Sequence, residues 1–401
     1  MKALFLFTTI LLISLHPISQ AQTLDVPIPK LPVPLPPIPN IPLIFSDTRL
    51  EIVYPVIQAF KRLITSDPLN VTATWIGPDV CRYRGFFCGP PPDNLSATAV
   101  ASVDFNGFGL SSPSIAGFLD RLPDIAVFHA NSNNFSGNFP ANIARLRYLY
   151  ELDISNNKFS GPFPFSILGM GLSYLDIRFN SFTGSVPPEV FARGIDFLFL
   201  NNNDFVTRLP ESFGPDAGLA YLTLANNKFY GPIPRGISRA LSGLSEVLLL
   251  NNSLSGCLPY ELGLLKDAIV FDASNNDLTG PLPFSLGCLQ NLEVLNFAGN
   301  MLYGNIPEAI CRLGKLANLS LSGNYFMQAG PVCASLIEKG VLDVRGNCIP
   351  GQGMQRSMAE CAGFFARPHY CPYTDTYTKF PCWLPNFGSP DYPPGLAPES
   401  S

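Results

Sequence analysis

The chain has 401 residues, of which 14% are charged, with 25 Lys and Arg against 30 Asp and Glu for a formal net charge of -5. That balance excludes the clustered basic surface of a nucleic-acid binder and leaves only a weak long-range preference for a basic partner. Ten cysteines, an even number, point to disulfides and an oxidising compartment.

From the N-terminus, Met1-Lys2-Ala3 leads into an apolar stretch from Leu4 to Leu15 and then Ser19-Gln20-Ala21. Residues 1–21 therefore read as a secretory signal peptide, and the apolar stretch is too short to span a bilayer. No later stretch is long and apolar enough to do so. Gly395 to Ser401 lack the apolar tail of a lipid-anchor signal. The expectation is a secreted, soluble protein with no membrane span and no nucleic-acid partner. Residues 22–46 form a Pro-rich linker in which Pro27, Pro29, Pro32, Pro34, Pro36, Pro37, Pro39 and Pro42 favour an extended polyproline-like path.

Residues 47–101 read as an N-terminal cap. Leu50, Ile52, Val53, Val56, Ile57, Phe60, Leu63 and Ile64 recur every three to four residues, the period of an amphipathic helix. Pro55 inside that pattern predicts a kink or a late helix start. Trp75, Cys81, Tyr83 and Cys88 follow as a second capping layer, with Trp75 expected in the core.

Beyond residue 102 one frame repeats. Asn133, Asn157, Asn180, Asn203, Asn227, Asn252, Asn276, Asn300, Asn324 and Asn347 lie 23 to 25 residues apart. Around them returns a pattern such as Leu152-Asp153-Ile154-Ser155-Asn156-Asn157-Lys158-Phe159-Ser160-Gly161, the leucine-rich repeat signature. Gly-x-x-Pro follows, as in Gly231-Pro232-Ile233-Pro234 and Gly304-Asn305-Ile306-Pro307, which marks the plant-type variant. The expected fold is an α/β solenoid, a plant-type leucine-rich repeat superhelix with disulfide-stapled N- and C-terminal caps. Residues 102–350 supply about 11 repeats, and residues 351–401 a C-terminal cap with a short Pro-containing tail. In each repeat an apolar pair points inward from a short parallel strand. The Asn turns inward to satisfy backbone groups left open by the bend, a structural role.

Cys81 and Cys88 belong to the first cap, and Cys333, Cys348, Cys361, Cys371 and Cys382 cluster near the last. Zinc is the alternative for that cluster, disfavoured by the spacing. Cys257, Cys288 and Cys311 leave open an internal pair, a buried thiol or an intermolecular bridge.

The residue between each inward pair faces the concave side. Carboxylates gather at Glu151, Asp153 and Asp176, and Tyr174, Phe197, Phe199, Tyr221 and Leu248 supply an apolar middle. An aromatic patch beside polar neighbours is where binding energy concentrates, so these eight residues are the candidate ligand-binding set. The competing explanation is packing of large side chains across strands. His129 stands between Asp104 and Asp153 as a candidate pH-sensitive contact. No nucleophile and base, metal-ligand set or enclosed pocket is apparent, so no enzyme, cofactor or metal is expected. Asn70, Asn94, Asn134, Asn251 and Asn318 carry glycosylation sequons.

The chain resembles plant leucine-rich repeat extensins. The likeness rests on Trp75-Ile76-Gly77-Pro78-Asp79-Val80-Cys81 with Tyr83 through Cys88, on Phe128-His129-Ala130-Asn131-Ser132-Asn133, on Leu175-Asp176-Ile177-Arg178-Phe179-Asn180 and on Gly256-Cys257-Leu258-Pro259. The resemblance implies an extracellular protein of the apoplast or cell wall that binds a small secreted, basic, cysteine-rich signalling peptide and forms a homodimer. The long Ser-Pro-rich module of that family is not seen after Cys382, where Pro385, Pro390, Pro393, Pro394 and Pro398 stand in a short tail. Alternative functions are inhibition of a secreted pathogen cell-wall hydrolase and structural contact with cell-wall polysaccharide.

Overall fold

The structure is a computed structural model that describes residues 43–382 apart from 193, 212, 214–217, 239–242, 373–375 and 379–381. The segment expected to be a signal peptide, most of the Pro-rich stretch and the tail beyond Cys382 lie outside the described residues.

A helix over Thr48–Leu63 begins where Asp47 accepts the Arg49 backbone N–H at 2.8 Å. Its other carboxylate oxygen accepts the Thr98 N–H, so the cap also ties the helix to the chain entering the first repeat. Leu50, Val53, Ile57 and Phe60 are buried, at the 3-4-3 spacing of one helical face. Ile52 and Leu63, expected on that face, are exposed. The late start expected from Pro55 does not occur. Pro55 lies on the exposed side, where water can serve the carbonyl that its missing N–H leaves free. Phe60 stacks on Phe118 with ring centroids 4.0 Å apart, and Trp75 is fully buried with its indole N–H on the Arg84 carbonyl.

A twelve-stranded sheet runs the length of the solenoid. Phe86–Gly89 pairs antiparallel with Ala99–Asp104 and closes the N-terminal edge. From Ala99–Asp104 to Leu342–Asp343 the strands are parallel and follow chain order, one per repeat. Their central residues, among them Leu152, Leu175, Leu198 and Leu222, are fully buried. The stretch after each Asn from Asn133 to Asn324, where Gly permits a tight path and Pro fixes an extended segment, forms a further strand, and with Ser111–Ser112 these make two five-stranded parallel sheets. These run from Ser111–Ser112 to Asp204–Phe205 and from Tyr230–Gly231 to Tyr325–Ala329.

The asparagine ladder is fully formed. Asn157 Nδ2 donates to the carbonyls of Ala130, Ile154 and Ser155, and its Oδ1 accepts the Phe135 N–H. Asn324 repeats the pattern with Phe297, Leu321, Ser322 and Leu302. Each amide thus joins two successive repeats.

All ten cysteines are paired, which removes the zinc and free-thiol alternatives. Cys81–Cys88, Cys311–Cys333 and Cys348–Cys361 are local. Cys257–Cys371 and Cys288–Cys382 bind the C-terminal segment back onto the convex side, a pairing the sequence left open. The first of these seats on Gly280, whose φ is +91° and where a Cβ would lie 2.3 Å from Cys371 Sγ. Replacing Cys257 and Cys371 together with Ser should cost about 2–3 kcal/mol, less than an isolated crosslink of this span, because Cys288–Cys382 still limits the unfolded chain. Urea unfolding of the oxidised double variant measures this.

Candidate concave binding face

Register brings the candidate residues into two rows across the concave sheet. In the first, Glu151, Tyr174, Phe197, Tyr221 and Glu246 occupy equivalent positions on five successive strands. At about 4.8 Å per strand the two glutamates stand about 19 Å apart with three aromatics between them. Phe197 stacks on Tyr221 at 5.1 Å and lies 5.8 Å from Tyr174, while Tyr174 meets Phe199 edge-on at 5.6 Å. All four rings are half-buried, so cross-strand packing accounts for part of their burial and leaves an aromatic surface open. Glu246 completes the column that counting the repeat already gives, although the sequence-based candidate set did not include it.

The second row holds Asp153, Asp176, Phe199, Thr223, Leu248 and Asp272. Asp176 is a correction. It is 0% exposed and cannot be touched by a ligand in this conformation. Burial, then the neighbouring Asp153, raise its carboxyl pKa to about 7; Arg178, the Arg178 backbone N–H and the Tyr174 hydroxyl act in the opposite direction. Arg178 Nε is 2.9 Å from Asp176 Oδ2, close enough for an ion pair although not aligned for a hydrogen bond. The Arg178 guanidinium lies 5.0 Å over the Phe199 ring, a cation–π contact. Burial also pushes up the pKa of Glu246, opposed by Arg178. The centre of the face therefore carries its own cation above a buried carboxyl, with accessible carboxylates at its flanks.

The aspartate series has a local cause that the sequence reading missed. Asp104, Asp153, Asp176, Asp272 and Asp343 each accept the backbone N–H two residues on, and Asn296 does the same. Their recurrence reflects this turn, which the spacing Asp-x-Ser and Asp-x-Arg signals. Asp153 also holds the Ser155 hydroxyl at 2.6 Å. His129 does not pair with Asp104 or Asp153 but reaches diagonally to Glu151, Nε2 to Oε2 3.1 Å.

The five sequon asparagines are all exposed. Asn318 stands on the concave strand Asn318–Ser320. Asn251 belongs to an amide chain that runs from Asn275 through Asn251 and Asn226 to Asn202. Among the described residues no group of three His, Cys, Asp or Glu is placed to hold a metal ion, and no helix is long and apolar enough to cross a membrane.

The sequence model of the Leucine Rich Repeat matches residues 148–170 and 291–313. Over 343 residues the chain is 45% identical to Leucine-rich repeat extensin-like protein 6 of Arabidopsis thaliana, which covers 84% of this chain and 70% of that protein. It is 41% identical over 111 residues to Leucine-rich repeat extensin-like protein 1 of the same plant, spanning 28% of this chain and only 15% of that relative. Among solved structures, the plant peptide hormone receptor RGFR1 in complex with RGF2 is similar, with a TM-score of 0.54 and 26% identity, covering 62% of this chain and 40% of that one. With its repeat architecture described and an alignment that spans most of both proteins, the chain belongs to the leucine-rich repeat extensin-like family.

Proposed function

We propose that this protein works outside the cell, in the apoplast or cell wall, and binds a small basic, cysteine-rich signalling peptide on its concave face without catalysing a reaction. The observation that carries this reading is the row Glu151, Tyr174, Phe197, Tyr221, Glu246, with aromatic anchors at its centre and a carboxylate at each end. An apolar ligand segment would cover the rings, and basic side chains on either side would meet the glutamates. Asp153, Phe199 and Leu248 extend the contact in the second row, while Asp176 supports it from below through Arg178. A plant peptide hormone receptor of similar fold, RGFR1, is known in complex with RGF2, and five disulfides suit an oxidising compartment.

Affinity capture from cell-wall extract with the folded protein tests this. The control is a variant with Phe197, Phe199 and Tyr221 all changed to Ala. We expect a small basic peptide on the unaltered protein and a loss of more than tenfold in affinity on the variant, about 1.4 kcal/mol or more. Equal recovery by both proteins would remove the aromatic row from the site, and recovery of a hydrolase would favour the inhibitor function instead.

A further inference from the structure

Strand register carries the first concave row on beyond Glu246. Val270, Val294 and Asn318 take the equivalent positions on the next three strands, which places Asn318 about 14 Å from Glu246. The row changes character over that distance. From Glu151 to Glu246 it offers carboxylates and aromatic rings, whereas Val270 and Val294 are half-buried aliphatic side chains with no polar group.

Asn318 opens the sequon Asn318-Leu319-Ser320, and the strand sets its geometry. Alternation along the strand buries Leu319 and turns Asn318 and Ser320 to the concave side, with Asn318 exposed. The Asn318 backbone N–H donates to the Glu293 carbonyl, but the side-chain amide makes no hydrogen bond among the described residues. A hydrogen on Nδ2 can therefore be replaced without loss to the fold. The other four sequons differ. Asn70 and Asn94 lie on the N-terminal cap, and Asn134 opens a strand of a five-stranded sheet. The Asn251 amide is engaged at both ends, Nδ2 donating to Asn226 and Oδ1 accepting from Asn275. Of the five, Asn318 alone stands on a strand of the sheet that carries the ligand rows.

We propose that Asn318 carries an N-linked glycan that covers Val270 and Val294 and closes the C-terminal end of the concave row. The donor is a lipid-linked oligosaccharide diphosphate. Asn318 Nδ2 bonds to its anomeric carbon, the bond from that carbon to the diphosphate breaks, the diphosphate leaves with the electron pair, and Nδ2 gives up one proton. Transfer takes place on the extended chain before folding, so the half-burial of Ser320 in the finished strand is no obstacle. A glycan is bulky, and this one is rooted one strand from Val294 and two from Val270. The apolar faces of its first sugar rings suit those two aliphatic side chains. The inference rests on the extracellular reading, and it gives the concave site an end: a ligand meets Glu151 through Glu246 and stops short of Asn318.

The full chain, secreted from plant cells and studied without any peptide ligand, tests the proposal. Peptide mass mapping after enzymatic release of N-linked glycans in heavy-oxygen water should show Asn318 converted to labelled Asp in most molecules. Hydroxyl-radical labelling of Val270 and Val294 should rise about twofold in Asn318→Gln and in Ser320→Ala, neither of which retains the sequon. Exposed Phe165 and Tyr230 should label as in the parent. Ser320→Thr keeps the sequon and should keep the parent's labelling, which separates loss of the glycan from a change in the strand. The proposal is overturned if Asn318 is unmodified in the secreted protein, if both glycan-free variants label Val270 and Val294 as the parent does, or if Ser320→Thr labels like them. With no ligand present, each of these results stands apart from the outcome of affinity capture.

Discussion

Asn324→Ala is expected to lower stability by about 2–4 kcal/mol, because it leaves one buried N–H without an acceptor and removes one of two donors from each of three carbonyls. Asn324 is 0% exposed. Its Oδ1 is the partner of the Leu302 N–H, and Nδ2 serves Phe297, Leu321 and Ser322. Alanine offers neither group, and the cavity is too confined by the stacked repeats for water to substitute freely. The Phe297, Leu321 and Ser322 carbonyls keep Asn300 Nδ2, Asn347 Nδ2 and the Gly299 N–H respectively, so the heaviest loss falls on the Leu302 N–H. In a solenoid, stability resides largely in contacts between neighbours, so the loss should weaken the junction between repeats and increase amide exchange on both sides. Asn305→Ala, at an exposed position, is the matched control and should change stability by no more than about 0.5 kcal/mol. Urea denaturation of the two variants side by side measures the difference.

Asp176→Asn should make the protein less sensitive to pH. The folded pKa of Asp176 is raised to about 7, against about 3.9 for an unfolded chain. Between these values the folded state holds a proton that the unfolded state has released. Stability therefore falls as pH rises from about 4 to about 7, and the whole penalty is present above pH 7. Three units correspond to about 4 kcal/mol, a figure already net of the Arg178 pair, which is among the causes of the shift. Asparagine cannot ionise, so the gap between variant and parent should shift in favour of the variant as pH is raised from 5 to 8. Unfolding curves at pH 5, 6, 7 and 8 give that gap directly; a gap constant across the series would refute the assignment. The same titration acts on the concave face. Below pH 7 a neutral Asp176 leaves the charge of Arg178 unopposed, and a basic ligand should bind less well.

Much of the fold was legible because it rests on short-range periodicity. The ten asparagines, the inward pair such as Leu152 and Ile154, and the helix face of Leu50, Val53, Ile57 and Phe60 all recur at spacings that a single geometry requires. Contacts between distant segments carry no such period. Cys257 and Cys371 are 114 residues apart, and nothing local to either marks the other. The concave face was legible in part. Register could be counted from the repeat, which placed Tyr174, Phe197, Tyr221 and Glu246 in one row, yet burial could not, so Asp176 was taken for a surface contact. The aspartate series shows a further limit: an Asp that recurs to hold the N–H two residues on looks, in sequence, the same as an Asp that recurs to bind.

The central claim is that ligand binding concentrates on the aromatic row between Glu151 and Glu246. Hydroxyl-radical footprinting of the folded protein, alone and saturated with the captured peptide, examines it most directly. Protection should concentrate on Tyr174, Phe197, Phe199 and Tyr221, with exposed Phe165 on the turn Phe165–Gly169 and Tyr230, both outside the concave sheet, unchanged. Unchanged labelling of the four concave rings, with protection at Phe165 or Tyr230 instead, would contradict the account and move the binding surface off the concave sheet.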